Sequence, residues 1–280
     1  MILAAKLFKF FLKTSLILLF LFGCSSTSEI KSIEGEIFGT TWQVKYVDNQ
    51  NNLEDLNKSL THELNRINKI FSTYIDDSYI SKVNRGEVSE FENNEFLKLI
   101  NLSLKIKNQS NGFFNIYINN QYDLNAIAKG YAVDNLAKIL NSKNITNFMI
   151  EIGGEIRFEG SKGTKNWNFA VIEPSLSKSI HKYFDVKRNL SIATSGDYRN
   201  PGHIMNPLTD LPIATKLMSV TVLNETSTAT SDAWATALYA TPNNEWMQLA
   251  NKNNIAAYFI YRESGKTVSS STSKWNELIE

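Results

Sequence analysis

DLNAIAKGYAVD, Asp123 to Asp134, is the stretch whose reading decides the fold, taken with TSDAWATALY, Thr230 to Tyr239, much later in the chain. The first leads from an acidic residue in an extended context through small residues to Lys129 and Gly130. It then opens into Tyr131 to Leu140, where Ala132, Leu136, Ala137 and Leu140 fall at helical spacing. Such a run builds the floor of a pocket. In the second stretch a helix puts Asp232 and Thr236 on one face, so a carboxylate and a hydroxyl reach the same cation. Oxygen ligands of this kind favour a hard metal such as Mg²⁺. Taken alone, that spacing more commonly serves as a surface pair or a helix-start cap. The pairing of the two stretches favours a site.

Outward from these, the 280 residues with 42% hydrophobic content supply a sizeable core, organised as one large unit or two closely packed ones. The 29 basic and 28 acidic residues are spread along the chain, a balance that argues against nucleic acid as a partner. The beginning is different in character. Lys6, Lys9 and Lys13 precede the apolar run Leu16 to Phe22, which is too short for a comfortable membrane span, and Gly23 precedes Cys24, the only cysteine. This looks like a bacterial lipoprotein signal with Leu21, Phe22, Gly23 and Cys24 as its lipobox; a retained short anchor is the alternative. Residues 1–23 are thus expected to be a signal peptide and 24–35 a polar tether behind a lipidated Cys24, with the folded domain over 36–280.

Within that domain, Glu36 to Val47 alternates and reads as a strand, with Gly39 allowing a kink or a close approach to a ligand. Leu53 to Phe71 carries apolar residues at helical spacing, and Asn94 to Asn108 reads as a second helix. Further strands are expected at Phe113 to Ile118, on either side of Gly153 and Gly154, at Trp167 to Glu173, Ser191 to Ala193 and Ser219 to Leu223, and last at Tyr258 to Arg262. Ser231 to Tyr239 and Asn243 to Asn253 read as helices. The double glycine makes a tight turn or lets a phosphate or ring lie against bare backbone. Strands and helices do not alternate regularly, so the expected class is α+β rather than a doubly wound sheet.

P-loop, Rossmann, zincin, CxxC and hydrolase-elbow signatures are all missing from the sequence. Of the three histidines, His62 falls on the first helix and His181 in an expected loop, both most simply solvated. His203 sits in RNPGHIMNP, a run of turn formers where catalysis and turn stabilisation are comparable uses for the ring.

In order, DLNAIAKGYAVD, IEIGGEIRFEG (Ile150 to Gly160), ATSGDYRN (Ala193 to Asn200), GHIMNP (Gly202 to Pro207), SVTVL (Ser219 to Leu223) and TSDAWATAL resemble the ApbE family, the FAD:protein FMN transferases, along most of the chain after residue 35. The resemblance implies an ApbE-like, T-fold-like arrangement of mixed sheets and packed helices with a flavin site in a central cleft. It places FAD against Asp123 and Lys129, and a Mg²⁺ ion on the Ala126 carbonyl, Asp232 and Thr236. It adds Ala235, Phe38, Tyr74, Phe113, Phe114, Asn115 and Met205 to the flavin contacts, with Asn115 where the family commonly has Asp. Between Phe114 and Asp123 the chain has only eight residues, where family members usually have several tens.

The implied reaction moves FMN from FAD to a Thr or Ser hydroxyl of an acceptor protein, releasing AMP, with His203 or Asp232 accepting the hydroxyl proton. A Mg²⁺-dependent FAD pyrophosphatase and a non-catalytic flavin-binding lipoprotein are the alternatives. The implied acceptor is a subunit of a respiratory electron-transfer complex, and the implied location is the bacterial cell envelope, lipid-anchored and facing the periplasm or exterior.

Overall fold

Leu56, Leu60, Leu64, Ile67 and Phe71 recur along one face of the helix α1 (Leu53–Phe71), and burial of that stripe fixes the helix against a sheet. In the computed structural model, residues 29–47, 53–175, 179–198, 202, 204–213, 215–242 and 245–280 are described. Cys24 and the expected signal lie outside them. So do His203 and the start of the helix expected from Asn243.

The chain then runs through α2 (Tyr79–Asn84), α3 (Asn94–Gln109), the short hairpin β3 (Tyr117–Ile118) and β4 (Gln121–Tyr122), and α4 (Asn125–Ser142). The central sheet is built from β1 (Ile30–Ile37), β2 (Thr40–Val47), β5 (Phe148–Ile152), β6 (Glu155–Glu159), β9 (Leu190–Ser195), β12 (Leu217–Asn224), β13 (Ala256–Glu263) and β14 (Lys266–Ser271). They lie in that order across eight strands, and each neighbouring pair is antiparallel. Two-stranded ribbons pair β7 (Trp167–Ile172) with β8 (Ile180–Val186) and β10 (Met205–Asn206) with β11 (Leu211–Pro212). Helices α5 (Thr228–Ala240), α6 (Trp246–Lys252) and α7 (Ser273–Ile279) complete the described part. Among the described residues no helix is long and apolar enough to cross a membrane.

Successive residues of a strand face opposite sides of a sheet, and β13 shows the consequence. Its Ala257 and Phe259 join the main core with α1, α4 and α5, while Ala256, Tyr258 and Ile260 join a second core under the β7–β8 ribbon and α7. The class is α+β, with α1, α4 and α5 on one face of the sheet and α7 with the β7–β8 ribbon on the other.

Five expectations change in detail. Glu36 to Val47 is the end of β1, a turn and β2 rather than one strand, because Phe38 (φ 53°) and Gly39 (φ 70°) are both left-handed and reverse the chain between Ile37 and Thr40, and β1 starts at Ile30, so the folded domain begins inside the stretch 24–35 expected as a tether. Of Phe113 to Ile118, only the last two residues pair as a strand. Tyr258 to Arg262 is followed by a further strand, β14, which forms the sheet edge. His181 lies in β8, not a loop; Nδ1 is 2.7 Å from Glu173 and Nε2 is 3.2 Å from the Tyr258 hydroxyl, so the ring is a structural link between ribbon and sheet. His62 is exposed on α1, as expected.

Candidate functional site

The helix of the opening stretch starts earlier than its apolar spacing suggested, at Asn125, so Ala126, Lys129 and Gly130 are all helical. Its first turns press directly on α5. A Cβ at Gly130 would fall 2.5 Å from the Thr228 carbonyl oxygen and 2.7 Å from the Ala229 Cα, so only glycine permits this approach. One helical turn on, Asp134 reaches the start of α5. Its carboxylate accepts hydrogen bonds from the Thr228 amide (2.7 Å), the Ala229 amide (3.2 Å) and the Ser227 hydroxyl (3.0 Å), while Arg157 of β6 lies 3.7 Å away. An acid is favourable at a helix start because the amides there have no helical partners. Asp134→Ala is expected to cost about 2 kcal/mol in a urea titration; an unchanged midpoint would show that the α5 start does not depend on Asp134.

So placed, α5 delivers Asp232 into the seam between the helices. The Gly130 amide donates to Asp232 Oδ2 at 3.1 Å. In the helical pattern that amide also points at the carbonyl four residues back, which is Ala126. The Asp232 carboxylate is therefore anchored beside the Ala126 carbonyl. From the sheet side Glu155, at the start of β6, meets Lys129 with a 2.6 Å contact between Oε1 and Nζ, its own side chain only 5% exposed. The second oxygen, Oε2, is buried with no hydrogen-bond partner among the described residues. Glu155 reaches this point because Gly153 (φ 62°) and Gly154 (φ 110°) turn β5 into β6 within two residues.

Two buried acids thus share one base. Burial, then the nearby Glu155 charge, pushes the Asp232 carboxyl up to about 7, against the opposing pull of Lys129 and the Gly130 amide. Burial alone would depress the Lys129 ammonium, but the Glu155 and Asp232 charges overcome it and hold the group above its ordinary value. Thr236, one turn beyond Asp232, is half-buried with its hydroxyl 3.4 Å from that of Ser195 at the end of β9. On the next turn the Tyr239 hydroxyl donates to Asp197 at 2.6 Å, tying the chain just after β9 to the same helix face.

Among the described residues no three His, Cys, Asp or Glu side chains cluster as a metal site. A cation here would rest on a carboxylate, a backbone carbonyl and a hydroxyl. That donor set is all oxygen, and burial, then the Glu155 charge, disfavours an uncompensated Asp232 carboxylate, so the residues fit a hard divalent ion.

The other predicted positions divide. Phe38 is half-buried against the main core in the β1–β2 turn, close to the double-glycine turn that packs on Thr40. A bulky side chain in the left-handed region costs about 1 kcal/mol or more, which marks this turn as constrained. Phe113 and Asn115 are half-buried in the loop after α3, and the β10–β11 hairpin carrying Met205 lies against it, through Leu208 at Gly112 and Asp210 at Asn119 (3.3 Å). Phe114 is 1% exposed in the core and supports its neighbours from behind instead of presenting a ring to a ligand. The Asp123 carboxylate is exposed and accepts from the Asn125 amide at 2.8 Å, a helix-start contact. Ala235 is fully buried where α5 meets the core, and Tyr74 projects outward, 87% exposed.

Sequence reasoning missed Glu155, Asp134 and Ser195 as members of this site. A signal existed for the first: in EIRFE, Glu155 to Glu159, the charged residues alternate with apolar ones, so one face of β6 is charged. That face lies under α4, where Lys129, Asp134 and Asn141 answer Glu155, Arg157 and Glu159 in turn.

Fold and cleft together define an α+β protein whose buried acidic cluster is suited to a hard cation. The chain belongs to the ApbE family, whose model matches residues 38–121 and 119–259. A FAD:protein FMN transferase from Haemophilus influenzae is 27% identical over 332 aligned residues, 92% of this chain and 94% of that one. A FAD:protein FMN transferase from Vibrio cholerae is 28% identical, covering 88% and 91%. Among solved structures, the flavin transferase ApbE from Vibrio cholerae superposes with a TM-score of 0.81 at 26% identity, covering 89% of this chain and 100% of that chain. The Pseudomonas stutzeri flavinyl transferase ApbE gives 0.80 at 26%, covering 90% and 97%. The family match divides at 119–121, where the Asn119–Asn120 turn joins β3 directly to β4. The short segment after Phe114 therefore closes as a tight hairpin.

Proposed function

We propose that this protein is a Mg²⁺-dependent FAD:protein FMN transferase, moving FMN from FAD to a Thr or Ser hydroxyl of an acceptor protein. The observation that carries this is the Asp232 carboxylate, buried and fixed by the Gly130 amide beside the Ala126 carbonyl, with Thr236 on the same helix and Lys129 facing it. In this reading Ala126, Asp232 and Thr236 hold the cation, which when bound would neutralise pyrophosphate oxygens. Lys129 supplies a positive charge for a phosphate oxygen. The half-buried Phe38, Phe113 and Met205 are positioned to support a flavin, with Asn115 and Asp123 at the rim.

The acceptor hydroxyl attacks the FMN-side phosphorus, a new P–O bond forms, the pyrophosphate bond breaks and AMP leaves. The hydroxyl proton passes to His203, an imidazole being the side chain commonly used as a general base near neutral pH, with Asp232 as the second candidate. Cys24 as a lipidated first residue would hold the enzyme to a membrane in the bacterial envelope, facing the periplasm or exterior, where an electron-transfer subunit is a fitting acceptor.

Incubation with FAD, Mg²⁺ and an acceptor bearing an exposed Thr is expected to leave flavin fluorescence on the denatured acceptor band, and chelation with EDTA to remove it. Free FMN and AMP without labelling would make the protein a pyrophosphatase; neither outcome would leave a flavin-binding protein without transferase activity.

A further inference from the structure

Among the described residues, Lys129 alone faces the two buried acids of the cleft. Lys129 is paired through Nζ to Glu155 Oε1 at 2.6 Å, and Asp232 faces the same pair. Glu155 and Asp232 are 3% and 4% exposed, so water screens neither effectively. One cation against two anions leaves these three groups formally at −1, with Asp134, which also acts on Asp232, set against Arg157 at 3.7 Å. A pyrophosphate brings further negative charge to the same place. With no cation the two repel; a divalent ion converts the cluster to +1 and the repulsion to attraction.

Asp232 alone would not produce this reversal. Paired only with Lys129, it would give a neutral cleft that tolerates a dinucleotide without metal. Glu155 is the extra charge, and its position is fixed by the sheet: the double-glycine turn places it at the first inward position of β6, and its Oε2 has no hydrogen-bond partner among the described residues that would spread its charge. We propose that Glu155 is a positioning residue that both orients Lys129 and makes dinucleotide binding conditional on a divalent cation. The inference rests on the FAD and Mg²⁺ reading above, and it concerns coupling between the two ligands, which is a reciprocal equilibrium quantity.

The test is equilibrium binding of FAD, followed by flavin fluorescence at pH 8, in EDTA and in saturating Mg²⁺, for the wild-type protein, Glu155→Gln, Glu155→Asp and Lys129→Gln. The expected wild-type result is a Mg²⁺ enhancement of about a hundredfold. Glu155→Gln should bind FAD about tenfold more tightly in EDTA than wild type and lose about tenfold or more of the enhancement. Glu155→Asp, which keeps the charge, should retain it. Lys129→Gln moves the cluster the other way and should make metal-free binding weaker and the Mg²⁺ dependence steeper.

Glu155→Gln weakening both conditions equally, or leaving the ratio of the two affinities unchanged, would overturn the inference and leave the transferase reading intact. If Glu155→Gln does not fold, Lys129→Gln decides, since an unchanged enhancement there also overturns it. A wild-type protein that binds FAD equally with and without Mg²⁺ overturns the inference alone. One that binds FAD in neither condition overturns the functional reading with it.

Discussion

Asp232→Asn is expected to melt roughly 5–10 °C above the wild-type protein at pH 8 in EDTA, while losing FMN transfer altogether. The gain and the loss have one cause. Asp232 is 4% exposed and its carboxyl is pushed up to about 7, chiefly by burial and then by Glu155. A carboxyl with a raised folded pKa binds its proton more tightly in the native state than in the unfolded chain. Stability therefore falls as pH rises from about 4, near the ordinary carboxyl value, towards 7, and the full penalty persists above that. Its ceiling is on the order of 4 kcal/mol. Asparagine has nearly the same shape and keeps an oxygen for the Gly130 amide but never ionises, so the penalty disappears at pH 8 and the difference between the two proteins shrinks at pH 5.

Mg²⁺ should raise the melting point of the wild type at pH 8 and leave Asp232→Asn where it was, because a ligand stabilises only the state that binds it. Melts at two pH values, each with and without Mg²⁺, decide the matter. Coincident curves for the two proteins in EDTA at pH 8 would show that no uncompensated charge resides on Asp232.

Much of this cleft was legible in the sequence, for a specific reason. Asp232 and Thr236 lie on one helix, so their shared face follows from spacing alone, and the apolar stripe of α1 is equally local. The α+β class also followed, from the irregular succession of strands and helices. What could not be read was long-range. Glu155 meets Lys129 only because β6 lies next to β5 and under α4, a register that no local pattern declares. The start of α4 was misplaced because Asn125 to Gly130 is too short and too rich in small residues to show an apolar stripe, and its Gly130 is there for contact with α5. The β1–β2 hairpin was hidden for a related reason: Phe38 occupies a left-handed turn position where Asn or Gly is usual, so the alternation seemed to run straight through. Both surprises lie beside the cleft, where sequences break local rules most often.

Gly130→Ala should be strongly damaging for a change of a single methyl. In an ordinary helix interior the substitution would stabilise by about 1 kcal/mol, since alanine has the better propensity. Here the new methyl would sit 2.5 Å from the Thr228 carbonyl oxygen, 2.6 Å from its carbon and 2.7 Å from the Ala229 Cα. All three are backbone atoms of the first turn of α5, and Asp134 holds that turn in place through two amides and a hydroxyl. No side chain can rotate to relieve the contact, so the helices must separate, and overpacking of this kind outweighs the propensity gain. A net loss of about 3 kcal/mol is expected in urea unfolding. Separation also draws the Gly130 amide from Asp232, so FAD and Mg²⁺ affinity should fall together even at temperatures where the variant is fully folded. If Gly130→Ala proves neutral or stabilising, the close approach of α4 to α5 is not what sets the geometry of the cleft, and the anchoring of Asp232 beside Ala126 must come from elsewhere.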